Sequence, residues 1–162
     1  MGEFAEATAS RYQFTRSEQD AFAINSLERA QRAAKGFFIG EISPITYSSK
    51  GKELTVSLDE QPSKANLEKI PTLRPAFRPD GSVTAANSSS ISDGAAAIVL
   101  TTQSRAEAEG LKPVARIAAH ASFSREPEWF TLAPIGAIEQ LLEKTGWSLK
   151  DVDLFEINEA FA

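Results

Sequence analysis

The chain has 162 residues, with 17 Lys+Arg against 22 Asp+Glu, one His and no Cys, for a net charge of −5. These residues can form no disulfide framework, thiolate metal site or cysteine nucleophile. A composition of 42% hydrophobic and 9% aromatic residues suits a folded α/β chain, and the acidic balance argues against a nucleic-acid partner.

The charge is uneven: residues 1–80 carry 11 positive and 11 negative side chains, residues 81–162 carry 6 and 11. The longest apolar run, residues 95–100, is too short to cross a bilayer. The acidic start has no apolar segment of the secretory kind. The expectation is a cytoplasmic chain without membrane contact.

Residues 1–12 predict a short helix with Phe4, Ala5, Ala9 and Tyr12 on one side. Thr15-Arg16-Ser17-Glu18 is a capping box, in which hydroxyl and carboxylate satisfy each other's orphan backbone N–H groups. Behind it Ala23, Leu27, Ala30 and Ala34 repeat at helical spacing, and Gly36 is the expected stop. Ser48-Ser49-Lys50-Gly51 reads as a turn and Leu54-Thr55-Val56 as a strand. Residues 59–78 hold three prolines among charges and predict an irregular loop with one helical turn at 65–69, either a linker or a binding loop.

Residues 83–86 predict a short strand, 87–94 a loop of small polar residues, and 95–101 a buried strand or the end of a helix. A short helix opens at Ser104 and closes at Gly110. Residues 114–122 read as a strand, and Pro134 starts a helix with Ile135, Ile138, Leu141 and Leu142 inward, ended by Gly146. Residues 152–157 read as a buried strand ending at Asn158. Strand, helix and strand in that order imply a crossover unit and a mostly parallel sheet. A strand of that kind as the last element suggests a piece of a larger protein.

Candidate chemistry is sparse. His120 lies in an apolar strand and reads as structural or surface-lying. Glu156 and Glu159 bracket Asn158 without converging, and the sequence has no HExxH, GxxxxGK(S/T) or GxGxxG motif. The loop 87–94 lies at a strand end, where open α/β sheets bind ligands, although small polar residues also make ordinary turns. Asn158 can aim its amide at a developing oxyanion or cap a helix. The residues alone leave both alternatives open.

The ordered motifs go further. Asp153-Leu154-Phe155-Glu156-Ile157-Asn158-Glu159-Ala160-Phe161-Ala162 resembles the NEAF active-site segment of the thiolases, the acetyl-CoA acetyltransferase and 3-ketoacyl-CoA thiolase family. Leu73-Arg74-Pro75-Ala76-Phe77, then Gly81 to Ser89 and Ser92-Asp93-Gly94-Ala95-Ala96, resemble that family's LRPAF, GTVTAGNAS and DGAAA stretches. Ala133-Pro134-Ile135 and Gly146-Trp147 follow at the expected places, and the start is similar to an internal thiolase segment.

The resemblance implies a truncated thiolase-like α/β fold: part of the loop domain at 1–78, the end of the N-terminal domain at 79–111 and the start of the C-terminal domain at 112–162. It implies a CoA-dependent acyltransferase in which one Cys takes the acyl group, a second moves a proton and a His activates the first. Those three belong to segments not in this sequence, so the chain alone is expected to be inactive. Asn158 matches the Asn that holds a water in the oxyanion hole. Ala85 and Ser89 match contacts to the pantetheine arm of CoA, and Ala160 and Phe161 match the same channel.

Trp129 and Phe130 stand where many acetoacetyl-CoA thiolases have a Met near the acyl end, which leaves acyl-chain specificity open. Pro62 takes the place of an Arg beside the adenine, with Lys64 nearby as its replacement or as a solvated lysine. CoA and acyl-CoA are the implied partners, with CoA a substrate rather than a covalent cofactor, no metal, and a homodimeric or homotetrameric parent. A non-catalytic CoA-binding or assembly piece is the competing reading. A ketoacyl synthase of the same fold is disfavoured by the NEAF and Ser-Asp-Gly-Ala-Ala stretches.

Overall fold

The computed structural model describes all 162 residues, which divide into two units: residues 1–89 with 159–162, and residues 90–158. In the first unit α1 (Gly2–Tyr12) buries Gly2, Ala5, Glu6 and Ala9. Tyr12 is exposed and stacks on Phe14, with ring centroids 5.9 Å apart, so the inward stripe is narrower than expected and includes a carboxylate. The helix ends at Gln13, which adopts the left-handed conformation at φ 58°.

The capping box starts α2 (Arg16–Ala33) as predicted: Glu18 N–H donates to the Thr15 hydroxyl at 3.2 Å, and Thr15 N–H donates to the Glu18 carboxylate at 2.8 Å. Of the expected stripe only Ala23 is fully buried, beside Gln19 and Asp20. Gly36 is not the cap. Ala34 ends the helix in right-handed geometry, and the chain unwinds through tight turns, with Gly36 N–H bonded to Ala33 O at 3.1 Å.

The bonds from Thr15 hold the Glu18 carboxyl below its ordinary value of 4.5. A carboxylate lowered on folding contributes stability above its unfolded value, and this is lost as pH falls through the folded one. Helicity by circular dichroism is therefore expected to decline below about pH 4.5 more in the parent chain than in Glu18→Gln. Equal acid profiles would show the box to be without effect.

Strands β1 (Ile45–Ser49) and β2 (Lys52–Val56) form an antiparallel hairpin with Ile45 opposite Val56 and Ser49 opposite Lys52. Its two-residue turn puts Lys50 at φ 50° and Gly51 at φ 75°, the double left-handed geometry that matches strand twist. The Thr46 and Thr55 hydroxyls meet across it at 2.8 Å.

The proline-rich stretch is more ordered than expected. It contains α3 (Glu60–Lys64) and a 3-10 turn, Leu67–Thr72, capped by the Asn66 side chain. Arg16 pins this turn to α2 by donating to the carbonyls of Ile70 at 3.1 Å and Leu73 at 2.9 Å. The predicted strand at 83–86 is instead a turn in which Val83 and Thr84 are buried and Ala85 is exposed. Thr84 N–H donates to Asn87 Oδ1 at 2.7 Å and Ala86 N–H to the Thr84 hydroxyl at 3.2 Å.

The second unit holds α4 (Gln103–Ala108), capped by Thr102, and α5 (Ala133–Thr145), closed by left-handed Gly146 at φ 69°. A 3-10 turn, Pro127–Leu132, leads into α5. Gly136 faces the Phe123 ring at a distance that leaves no room for a Cβ, and Lys144 Nζ holds the His120 carbonyl at 2.9 Å. Ile138, Leu141 and Leu142 are half-buried, whereas Ile135 is exposed.

The predicted strands at 95–101, 114–122 and 152–157 form no ladder, and the hairpin is the only sheet. Val99 is 95% exposed, Val114 103% and Leu154 89%. A strand is defined by its neighbour, and none lies alongside these segments, so apolar sequence alone does not bury them. The accessible surface of 13151 Å² makes the same point. Two folded domains sharing this 17.5 kDa mass expose about 9,500 Å².

Candidate functional site

In the first unit the expected CoA-contact residues lie in or against one loop. Its base is a buried carboxylate: Glu6 accepts from Ser82 N–H at 3.0 Å and Val83 N–H at 2.9 Å, and from the Ser82 hydroxyl at 3.2 Å. Gln19 donates to the same hydroxyl at 2.8 Å. Asn87 is also buried, and its amide donates to Asp20 Oδ1 at 3.2 Å and to the Ser82 carbonyl at 3.0 Å. Asp20 in turn pairs with Arg16 at 2.7 Å. Every buried side-chain polar atom has a partner.

The loop's outer edge carries Ala85 and Ser89, both exposed. Ser89 N–H donates to Ala160 O at 2.9 Å, and Ala162 N–H donates to Asn87 O at 2.8 Å. Ser88 and Phe161 form the antiparallel bridge between them. Ser89, Ala160 and Phe161 thus come together from positions about 70 residues apart in sequence. Glu159, next to them, accepts from the Ser26 hydroxyl.

In the second unit Asn158 is exposed, caps no helix and lies on the wall of a cavity of about 520 Å³. The wall is otherwise mainly apolar, with Ile117, Ile138, Leu142, Trp147, Leu154 and Ile157 among its residues. Phe130, half-buried in the 3-10 turn, does not line this cavity. The His120 side chain is at the surface. Lys64 pairs with Glu60 at 2.9 Å, both exposed, as a solvated helix-surface pair does. No three His, Asp or Glu side chains converge on a metal-sized position. No helix is long and apolar enough to cross a membrane.

Sequence reading misses Glu6, Gln19 and Asp20 as the support of this loop. The available signal is a carboxylate within each inward stripe, Glu6 between Ala5 and Ala9 and Asp20 three residues before Ala23.

Apolar extended segments alternating with α4 and α5 mark the second unit as part of an α/β protein. The chain belongs to the thiolase family: the thiolase N-terminal domain matches residues 1–104 and the thiolase C-terminal domain matches residues 111–162. It is 47% identical over 165 residues to the acetyl-CoA acetyltransferase of Pseudomonas aeruginosa, covering 100% of this chain and 42% of that protein. Against the probable acetyl-CoA acetyltransferase of Dictyostelium discoideum it is 45% identical over 164 residues, covering 100% of this chain and 40% of that protein.

Among solved structures, the Bacillus anthracis acetyl-CoA acetyltransferase superposes with a TM-score of 0.94 at 45% identity, over 99% of this chain and 41% of that one. The Syntrophomonas wolfei acetyl-CoA acetyltransferase gives 0.87 at 36% identity, over 99% and 41%. The fold is the truncated thiolase-like α/β fold that the motifs imply. The chain spans about two fifths of the length of these relatives.

Proposed function

We propose that these residues are the central portion of an acetyl-CoA C-acetyltransferase that cleaves acetoacetyl-CoA or another 3-ketoacyl-CoA with CoA, or runs the reverse condensation. The observation that carries this is the pairing of Ser89 with Ala160 and of Ser88 with Phe161, on the loop that also carries Ala85, in a chain matched along its length by acetyl-CoA acetyltransferases. Ala85, Ser89, Ala160 and Phe161 contact CoA, Phe130 lies toward the acyl end, and Asn158 stabilises the oxyanion of the reacting thioester. The nucleophilic Cys, the proton-moving Cys and the activating His come from outside these residues, which contain no Cys.

On this reading residues 1–78 belong to the loop domain, 79–111 end the N-terminal domain and 112–162 begin the C-terminal one. The whole protein is a cytoplasmic homodimer or homotetramer. It takes CoA and acyl-CoA as substrates and needs no covalent cofactor.

The test is a chimera in which these 162 residues replace the matching segment of the Pseudomonas aeruginosa acetyl-CoA acetyltransferase. Thiolysis of acetoacetyl-CoA is expected from the chimera and not from the isolated chain. A soluble, folded chimera without thiolysis, or turnover by the chain alone, defeats the proposal. Saturable CoA binding by the chain alone together with an inactive chimera is the outcome for a non-catalytic CoA-binding or assembly piece.

A further inference from the structure

We propose that Asn87, oriented by Asp20, is the positioning residue that holds the CoA-facing loop and the segment 160–162 in register. This rests on the reading of Ser89, Ala160 and Phe161 as CoA contacts. The buried polar side chains of the chain are Glu6, Gln19, Asp20, Thr84 and Asn87, and they all belong to the unit that carries this loop. Such a concentration beneath one exposed loop is not needed for a turn. The Thr84 and Asn87 side chains already close the turn locally.

The bond from Asn87 to Asp20 spans 67 residues. Asn87 commits its whole amide: Oδ1 accepts from Thr84, and Nδ2 donates to Asp20 and to the Ser82 carbonyl. A carboxylate offers only acceptors, so Asp20 admits just one orientation of the Asn87 amide. Asp20 is itself fixed by Arg16, which is tied to the backbone of Ile70 and Leu73. The carbonyl of Asn87 accepts from Ala162, and two residues later Ser89 donates to Ala160. Freeing the Asn87 side chain is therefore expected to loosen both bonds of the pair. Asn87 is buried, is not among the residues read as CoA contacts, and acts through Ser89 and the segment 160–162.

The experiment measures amide hydrogen exchange and coenzyme A titration on the 162-residue chain and its variants. Asn87→Asp sets a carboxylate against Asp20 and is expected to speed exchange at Ser89 and Ala162 at least tenfold, with the α2 amides within threefold of the parent. Coenzyme A affinity falls at least tenfold. The reciprocal pair Asp20→Asn with Asn87→Asp restores one donor facing one acceptor and recovers at least half of both losses. Asp20→Asn alone is the milder variant, expected to speed the same two amides about threefold, and it decides the matter if Asn87→Asp does not fold.

Unchanged exchange at Ser89 and Ala162 in the folded variants overturns the proposal. Faster exchange with undiminished coenzyme A affinity also overturns it, because the contact is then structural only. If the parent chain binds no coenzyme A, the reading of the loop as a CoA contact in this chain fails, while the exchange rates still uphold or overturn the Asn87 clamp.

Discussion

Asn158→Ala in the chimera is expected to lower kcat for thiolysis about 10²-fold, with KM for acetoacetyl-CoA changed less than threefold. The asymmetry follows from when the amide acts. A ground-state thioester carbonyl carries little charge, whereas its oxygen becomes an anion as the nucleophile adds. A donor aimed at that oxygen, directly or through a water, contributes mainly in the transition state. Asn158→Asp is expected to fall at least as far, since it removes the donor and adds a negative charge beside a developing one. Asn158 caps no helix, and the melting temperature of each chimera variant, measured alongside, separates lost chemistry from lost fold. A kcat within threefold of the parent, at unchanged stability, would remove Asn158 from the mechanism.

The legible parts of the fold are those decided within a few residues. The Thr15–Glu18 box, the Lys50-Gly51 turn and the Gly146 cap each depend on local backbone geometry, and each is present. The segments at 95–101, 114–122 and 152–157 are read from composition, which records a tendency to pair but not whether a neighbour is present. The order of the loop at 59–78 escapes composition for a related reason. It comes from Arg16, more than 50 residues earlier, and charged residues on a helix are ordinarily read as solvated.

The candidate site divides the same way. Ala85, Phe130, Ala160 and Phe161 enter only through the thiolase resemblance, whereas Asn158 and the loop 87–94 that holds Ser89 are candidates from the residues themselves. Without the resemblance those two keep their ordinary readings as cap and turn, because Asn, Ser and Ala have no chemistry that decides the matter in an isolated sequence. What the motifs do not convey is the support beneath them. Asp20 and Glu6 find their partners 67 and 76 residues away, and no periodicity connects such positions. Family resemblance locates the surface read as meeting substrate, and geometry locates the groups that hold it there.

Among those groups Glu6 has the largest expected effect on stability. Glu6→Ala leaves the N–H groups of Ser82 and Val83 without their acceptor and is expected to destabilise the first unit by about 2–4 kcal/mol, at roughly 1–3 kcal/mol per orphaned donor. Relief of the buried carboxylate's desolvation offsets part of this, as does any water that enters the space. Glu6→Gln keeps one acceptor oxygen and turns a second donor toward Ser82, so an intermediate loss is expected.

Gly81 makes the test specific to geometry. A Cβ built there falls 2.8 Å from Glu6 Cδ and closer still to a carboxylate oxygen, so Gly81→Ala must displace the carboxylate from the amides it serves. Both single changes therefore break one latch. Their combination should cost clearly less than their sum, because the added methyl group finds room once the carboxylate is gone. Urea titrations followed by amide hydrogen exchange in α1 and α2 read this unit separately from α4 and α5. Additive losses would mean that Gly81 and Glu6 stabilise the chain by separate routes, and that the carboxylate is not what holds the loop to α1.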